Sequence, residues 1–446
     1  MSSMTFRAAC MVAVILLTAC GGSAAVSSVN TMVPLDSQHA GGAGKVGHIV
    51  IVVQENRTPD NLFQGLANAD IQSWGLNNLG QKIPLQPIPL NTTFDLGHTH
   101  NAFKKIYDGG KMDGANLEFT TCGTSCPYQN VEYGYVPASD DQPYLDLASQ
   151  YTFGDRMFQT NQGPSYPAHQ YLIAGTSEPS VGSPLEAAEN TLPLHVGAGC
   201  TAPSNSRVAM IDAAGHENTT MYPCFEHPTL MDLLDQQGIS WKYYANNTNG
   251  IWTAPNSIKH LRAWTDWKNV DTTSADVLKD IAAGKLAQVT WVIPKPLASD
   301  HAGSTDGSGP SWVASVVNAL GQSSYWNDTV IFVVWDDWGG WYDHVPPPNI
   351  YTSYELGLRV PLIVVSPYAK AHYVSHTNYE FGSILKFTEE TFGLGSLGYT
   401  DVRANDMSDC FNFAQAKIPF KKINAPLNAS FFLNNAKKGT DIPEDY

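Results

Sequence analysis

Five short, nearly unbroken apolar runs govern what this chain can fold into. They are Ile49–Val53, Ile239–Tyr244, Gln288–Ile293, Thr329–Trp335 and Val360–Val365. Each is bounded by polar or turn residues, which reads as a strand. Their apolar character is continuous rather than alternating, so these strands are expected to be covered on both faces. Helical patterns lie between them. Pro228–Gln237 places Leu230, Leu233 and Leu234 on one side, and Trp312–Leu320 places Val313, Val316, Val317 and Leu320 at helical spacing. Phe381–Phe392 reads as a late packing helix. Strands alternating with helices predict an α/β layered fold with a largely parallel sheet. The loop-rich stretches Asn68–Pro89 and Glu178–Pro223 are expected to be insertions over one face of that sheet.

The composition supports a large core and limits the partners. Hydrophobic residues make up 43% of the 446 and charged residues 15%, with 11 Trp, 20 Tyr and 17 Phe, which no disordered chain carries. The formal charge of −16 repels duplex nucleic acid and anionic bilayers at long range. A small phosphate ester can still bind where a local cation reverses the field.

The N-terminus carries its own pattern. Arg7 precedes an apolar run from Ala8 to Ala19 with the length of a signal-peptide core. It ends in Leu17-Thr18-Ala19-Cys20-Gly21, which resembles a bacterial lipobox with Cys20 as the lipidated first residue. Residues 21–45 are rich in Gly, Ala and Ser, as a flexible tether is. The expected organisation is a signal peptide over 1–20, a tether over 21–45 and a catalytic domain over 46–446. The protein would then be an exported lipoprotein of the cell envelope, held at a membrane through Cys20. Export permits disulfides. Cys122 and Cys126 are spaced to clip one loop, and Cys200 with Cys224 to close a second, leaving Cys410 over.

Open α/β sheets place their sites beyond the carboxyl ends of the strands. Gln54-Glu55-Asn56-Arg57 follows the first run and Asp336-Asp337 follows the fourth, so two strands deliver three carboxylates and an amide to one edge. Crowded acids repel unless a cation sits among them, and oxygen donors suit a hard or borderline divalent ion. Gly163-Pro164-Ser165-Tyr166-Pro167 leads into a helical pattern, with Pro167 suited to its first turn. Ser165 is then either a plain N-cap or a nucleophile beside the positive end of a helix dipole, where free N–H groups suit a phosphoryl group. His301 falls after the Gln288–Ile293 strand, on the same edge; His98 has no such support from pattern.

These segments are similar to the bacterial phosphoesterase family that contains non-specific phospholipase C and the AcpA-type acid phosphatases, within the alkaline phosphatase superfamily. The resemblance rests on HIVIVVQENRTPDNLF from His48, DLGHTH from Asp95, GGKMDG from Gly109, GPSYPAHQYLIAGTS from Gly163 and SDH from Ser299. It continues through WNDTVIFVVWDDWGGWYDHVPPP from Trp326 and GLRVPLIVVSPYAK from Gly357. It implies a three-layer α/β/α sandwich. Glu55, Asn56, Asp336 and Asp337 match metal-ligand positions, joined by Ser165, which also matches the nucleophile. His98 and His301 match histidines that contact the phosphoryl group, and Asp113 matches a site acid. His344 matches a recurrent motif residue with no assigned role.

The expected activity is therefore metal-dependent hydrolysis of phosphate esters through a phosphoserine, with an acid-phosphatase-like phosphomonoesterase foremost. Two departures weigh against a phospholipid substrate: the leader lacks twin arginines, and the chain ends shortly after the core motifs. A phospholipase C acting on lipid head groups is the alternative, and a non-catalytic surface lipoprotein a third reading. Many relatives carry Asp-Glu where this chain has Asp336-Asp337.

Overall fold

The strand formers of the sequence assemble into one eight-stranded sheet. The computed structural model describes residues 44–437 except Trp264. The leader, Cys20 and all but the end of the tether lie outside the described residues. The sheet is built from β1 (His48–Gln54), β2 (Thr152–Gly154), β3 (Trp241–Tyr244), β4 (Val270–Asp271), β5 (Val289–Val292), β6 (Thr329–Trp335), β7 (Leu362–Val365) and β8 (Tyr373–Ser375). Its order is β4-β3-β5-β1-β6-β7-β2-β8. Only β7 runs antiparallel to its neighbours. All five apolar runs are therefore strands of this sheet, and the expectation of a largely parallel arrangement holds.

Both faces are covered, as continuous apolar strands require. On one side α1 (Ala138–Gln150) packs against α5 (Gly309–Gly321), with α4 (Asp276–Ala282) and α7 (Ala429–Asn434) beside it. On the other, α2 (Ser165–Ala174) packs against α3 (Leu230–Gln236) and α6 (Phe381–Phe392). Every residue of β6 is buried, as are Ile49–Val53 of β1. This is the three-layer α/β/α arrangement. The loop-rich stretches hold small sheets of their own: a hairpin of Trp74–Leu76 with Lys82–Pro84, and three antiparallel strands within 185–221. Disulfides join Cys122 to Cys126 and Cys200 to Cys224, and Cys410 is a buried free thiol. Among the described residues no helix is long and apolar enough to cross a membrane.

The register of the two central strands positions the site. β1 and β6 pair in parallel from His48↔Thr329 to Gln54↔Trp335. Their next residues, Glu55 and Asp336, therefore emerge side by side at the carboxyl edge. The Asp336 N–H continues the ladder by donating to the Gln54 carbonyl at 3.0 Å.

Away from this edge, His260 ties the short helix Lys259–Ala263 to α3. It sits 2.7 Å from Glu226 Oε1 and 3.1 Å from Asp232 Oδ1. Burial lowers its pKa, but Asp232 and Glu226 outweigh burial and hold it at about 9. A raised histidine pKa stabilises in full below the unfolded value of about 6.5, and the gain is lost as pH rises through the folded value. His260→Gln should therefore lower the Tm most at about pH 6, with the deficit closing by about pH 10. Thermal melts of both proteins across that range check it; a deficit that grows with pH contradicts the ion pairs.

Candidate active site

Ser165 is the first helical residue of α2, and Pro164 occupies the N-cap position. The expected place at or before the cap is thus one residue off, and the difference matters. No side chain at that cap bonds back to the helix; instead Asn190 Oδ1 accepts from the Tyr166 N–H at 2.9 Å. The Ser165 hydroxyl is left to face the sheet edge. Its Oγ lies 3.3 Å from both Glu55 Oε2 and Asp337 Oδ2. The free N–H groups expected of the helix start are also fewer than the sequence suggests. Asn190 takes one, and Pro167 has none to give.

Around Ser165 the structure gathers Glu55, Asn56, Asp336 and Asp337, all fully buried. It adds a residue the sequence reading missed: His169, whose Nε2 lies 2.9 Å from Glu55 Oε1 and 3.7 Å from Asp336 Oδ2. His169 stands four residues after Ser165 on the same helix, and that spacing places both on one face. The spacing was available in the sequence.

Asn56 and Asp337 are held by backbone geometry. Asn56 has φ +64°, and its N–H donates to Asp336 Oδ1 at 3.2 Å. Asp337 Oδ1 accepts from the Gly339 N–H at 2.7 Å. Gly339 itself has φ +62°, and a Cβ there would lie 2.4 Å from the Asn56 carbonyl oxygen. At Gly340, φ +74°, a Cβ would lie 2.5 Å from Leu96 Cβ. The two glycines thus let the Asp336-Asp337 turn press against both the Asn56 turn and the loop that carries His98.

His98 and His301 meet at this point, with ring centroids 5.8 Å apart. Each anchors Nδ1 on a backbone carbonyl at 2.7 Å, Leu96 for His98 and Ala302 for His301. A carbonyl only accepts, so each Nδ1 carries the proton and each Nε2 faces Asn56. Arg57 supports the arrangement from behind. Its guanidinium donates to the Asp300 carbonyl at 2.7 and 2.9 Å and to the Leu90 carbonyl at 3.0 Å. Burial lowers the Arg57 pKa to about 10, against the pull of Asp300 and Asp95. Burial also raises the Asp300 carboxyl to about 6, although the Tyr144 hydroxyl donates to it.

Two sequence candidates fall elsewhere. Asp113 is half-buried on a loop near Lys111 and Tyr133, and no contact described here joins it to the Ser165 cluster. His344 bridges Asp60 Oδ2 at 2.8 Å and Asp70 Oδ1 at 3.1 Å. Beside it Arg359 donates to both Asp343 oxygens, at 2.8 and 3.0 Å. These acids thus have positive partners in His344 and Arg359.

The donors around Ser165 fit a divalent cation. Glu55, His169 and Asp336 bring one possible ligand atom each within 4.8 Å of the others. Asp336 Oδ2 is buried and accepts no hydrogen bond, and burial, then the charge of Glu55, push this carboxyl well above its ordinary range. Asn56 gives a second indication. With its amide oxygen toward the acids, that oxygen lies 3.2 Å from Glu55 Oε2 and 3.1 Å from Asp336 Oδ1, while Nδ2 donates to His98 Nε2 at 3.1 Å. Three oxygens so close require a cation or a shared proton among them, and the imidazole is then neutral. With the amide reversed, its nitrogen donates to both acids and its oxygen accepts from His98 and His301, which requires both rings protonated.

A buried hydroxyl among three carboxylates, at the carboxyl edge of a parallel sheet, is the equipment of a phosphoric ester hydrolase. The chain belongs to the Phosphoesterase family, whose model matches residues 46–395. It is similar to Phospholipase C A of Mycobacterium tuberculosis, 24% identical over 434 residues, covering 83% of this chain and 78% of that protein. It is also similar to Non-hemolytic phospholipase C of Pseudomonas aeruginosa, 24% identical, covering 86% of this chain and 59% of that protein. Non-specific phospholipase C6 of Arabidopsis thaliana is 24% identical over 399 residues, covering 78% and 68% respectively. Among solved structures, the lipoteichoic acid synthase LtaP from Listeria monocytogenes matches with TM-score 0.39 and 10% identity, covering 86% of this chain and 80% of that one.

Gly339→Ala tests how tightly this site is braced. A Cβ at positive φ costs about 1–2 kcal/mol, and the clash with Asn56 adds to it. The variant should melt several degrees lower and lose most turnover, although alanine replaces no polar group. Calorimetry with a turnover assay checks this; a fully active, equally stable variant contradicts the close approach.

Proposed function

We propose that the chain hydrolyses phosphate esters through Ser165, as a cation-dependent enzyme that forms a phosphoserine. The observation that carries the reading is the Ser165 hydroxyl, released from capping and placed 3.3 Å from each of two carboxylates. Glu55, Asn56, Asp336 and Asp337 would hold the cation, with Ser165 and His169 at its side. When bound, the cation supplies the positive charge that favours the serine alkoxide and offsets phosphoryl charge. The hydroxyl proton has Glu55 and Asp337 as acceptors. Ser165 Oγ then attacks phosphorus in line with the leaving oxygen. His98 and His301 present Nε2 toward the reacting group, and a protonated imidazole there can donate to a phosphoryl or leaving oxygen. Water cleaves the phosphoserine in a second inversion. Asp113 is retained as a site acid on the resemblance alone.

We favour a phosphomonoesterase. The names of the relatives support a second reading, a phospholipase C that cleaves the diester of a lipid head group. Turnover of p-nitrophenyl phosphate against p-nitrophenylphosphorylcholine separates the two. Export as a lipoprotein anchored through Cys20 completes the proposal and rests on the lipobox alone.

Removing the cluster's charge should trade function for stability. In chelator Asp336→Asn should melt above the native protein, because a buried like-charge contact is relieved. With a divalent cation the native Tm should rise, by about 2.7 kcal/mol of stability at one hundred times Kd, and the variant should gain little. Indifference of the native Tm to every divalent ion would remove the cation from the mechanism.

Ser165→Ala should keep the fold, since no cap is lost, and lose several orders of magnitude in turnover. Acid quenching during turnover, followed by mass spectrometry, should find phosphate on Ser165 in the native enzyme. A single net inversion at a chiral phosphorus would sink the covalent route.

A further inference from the structure

The phosphoryl group needs hydrogen-bond donors, and the start of α2 provides few. The Tyr166 N–H is taken by Asn190 and Pro167 has none. Further unpartnered donors stand beside the cluster, the indole N–H groups of Trp252 and of Trp338, whose ring lies against His98. Trp252 lies on the loop between β3 and the Lys259–Ala263 helix and is 2% exposed. Its ring stacks over His169, with centroids 6.4 Å apart and planes 23° apart, and tilts against His301 at 6.1 Å and 36°. It therefore touches both the histidine that bonds Glu55 and the histidine that faces Asn56.

The loop fixes this indole firmly. The Trp252 carbonyl accepts from the Tyr243 hydroxyl of β3 at 2.7 Å. The Asn247 side-chain oxygen accepts from the Asn249 and Gly250 N–H groups, and the Thr253 hydroxyl donates to the Asn247 carbonyl at 3.0 Å. Yet the Trp252 Nε1–H, buried with the ring, has no acceptor among the described residues. A donor left unsatisfied in the interior is costly. A side chain held so closely and paired with nothing, against two site histidines, is suited to an acceptor that arrives with the ligand.

We propose that Trp252 is a phosphoryl-binding residue, its indole N–H donating to an oxygen of the phosphoryl group of substrate and of product phosphate. The assignment rests on the phosphoesterase reading of the Ser165 cluster. A neutral donor suits this place, since it adds no charge beside the imidazoles and cannot be lost with pH. Trp252 also belongs to a separate loop from Glu55, Asn56, Asp336 and Asp337, and a phenylalanine in its place keeps a ring against His169.

The test uses the cation-loaded enzyme and inorganic phosphate as the probe. Trp252→Phe keeps an aromatic ring against His169 and His301 and removes the N–H. It should weaken phosphate as a competitive inhibitor, and raise KM for p-nitrophenyl phosphate, by about tenfold to a hundredfold, the effect of losing a bond to a charged acceptor. Trp312→Phe is the control. Trp312 Nε1 is also unpartnered, but that ring packs on Phe432 in the opposite helical layer, and its loss should leave phosphate affinity unchanged. In the native protein the Trp252 indole N–H proton should shift downfield in NMR spectra as phosphate is added, a response that a purely packing role does not produce. Unchanged phosphate inhibition in a folded Trp252→Phe protein, or an indole signal that ignores saturating phosphate, overturns the proposal. Phosphate binding needs no turnover, so the indole shift can also be read in Ser165→Ala. Failure of the serine reading and failure of this one are thereby distinguished.

Discussion

Three carboxylates buried within reach of one hydroxyl set the terms for the rest of the molecule. Glu55, Asp336 and Asp337 are fully buried, and an uncompensated buried charge costs several kcal/mol. The parallel register of the two central strands imposes this crowding, since Gln54↔Trp335 is the last pair before the acids begin. No relaxation of a side chain separates them, because both are anchored by their own backbones. The fold therefore has to supply compensation around them. His169 comes from the helix above, the Asn56 amide from the adjacent turn, and the remaining deficit fits a cation.

The surroundings are built to resist the repulsion. Asn56 and Asp300 are both non-glycine residues at positive φ, +64° and +73°, a conformation that persists only where neighbours over-determine it. Arg57 does much of that work by gripping the Asp300 and Leu90 carbonyls, with its guanidinium 4.8 Å from the centroid of the Trp341 ring. Arg57 thus joins the turn that carries Glu55 and Asn56 to the turn that carries His301. On the far side Gly339 and Gly340 bring the acid pair against Asn56 and the His98 loop. Strain at the site is balanced by packing one layer out.

The legibility of this structure in its sequence follows the same physics. The five long strands were readable because burial on both faces demands continuous apolar runs. The strands Thr152–Gly154, Val270–Asp271 and Tyr373–Ser375 were not, because two or three residues carry no period. The acids and the two histidines were placed at one edge by strand order and by resemblance, and the structure does bring Glu55, Asn56, Asp336, Asp337, Ser165, His98 and His301 together. His169 was readable in principle, at helical spacing from Ser165. Asp113 came from resemblance alone; its neighbours Met112 and Ala115 pack with Trp338 beside the acid pair. Asn190 and Trp252 had no signal at all: each makes its contact across tens of residues, from loops without periodicity.

Ligand recognition has to be local in such a molecule. The chain carries a formal charge of −16, and its candidate site adds three acids, so the long-range field does not draw a phosphate ester inward. Binding must come from groups that act at contact distance in a dry interior, where each hydrogen bond is stronger than in water. The dipole of α2 points its positive end at the site, but the first turn spends one N–H on Asn190 and lacks another at Pro167. In the proposed reading there remain a cation at the acids and donors from His98, His301 and Trp252, whose ring lies against both His169 and His301. Such a division suits phosphoryl transfer, in which charge spreads over the equatorial oxygens. On that reading the acids and a cation would serve the attacking side, while His98, His301 and Trp252 would serve the phosphoryl oxygens.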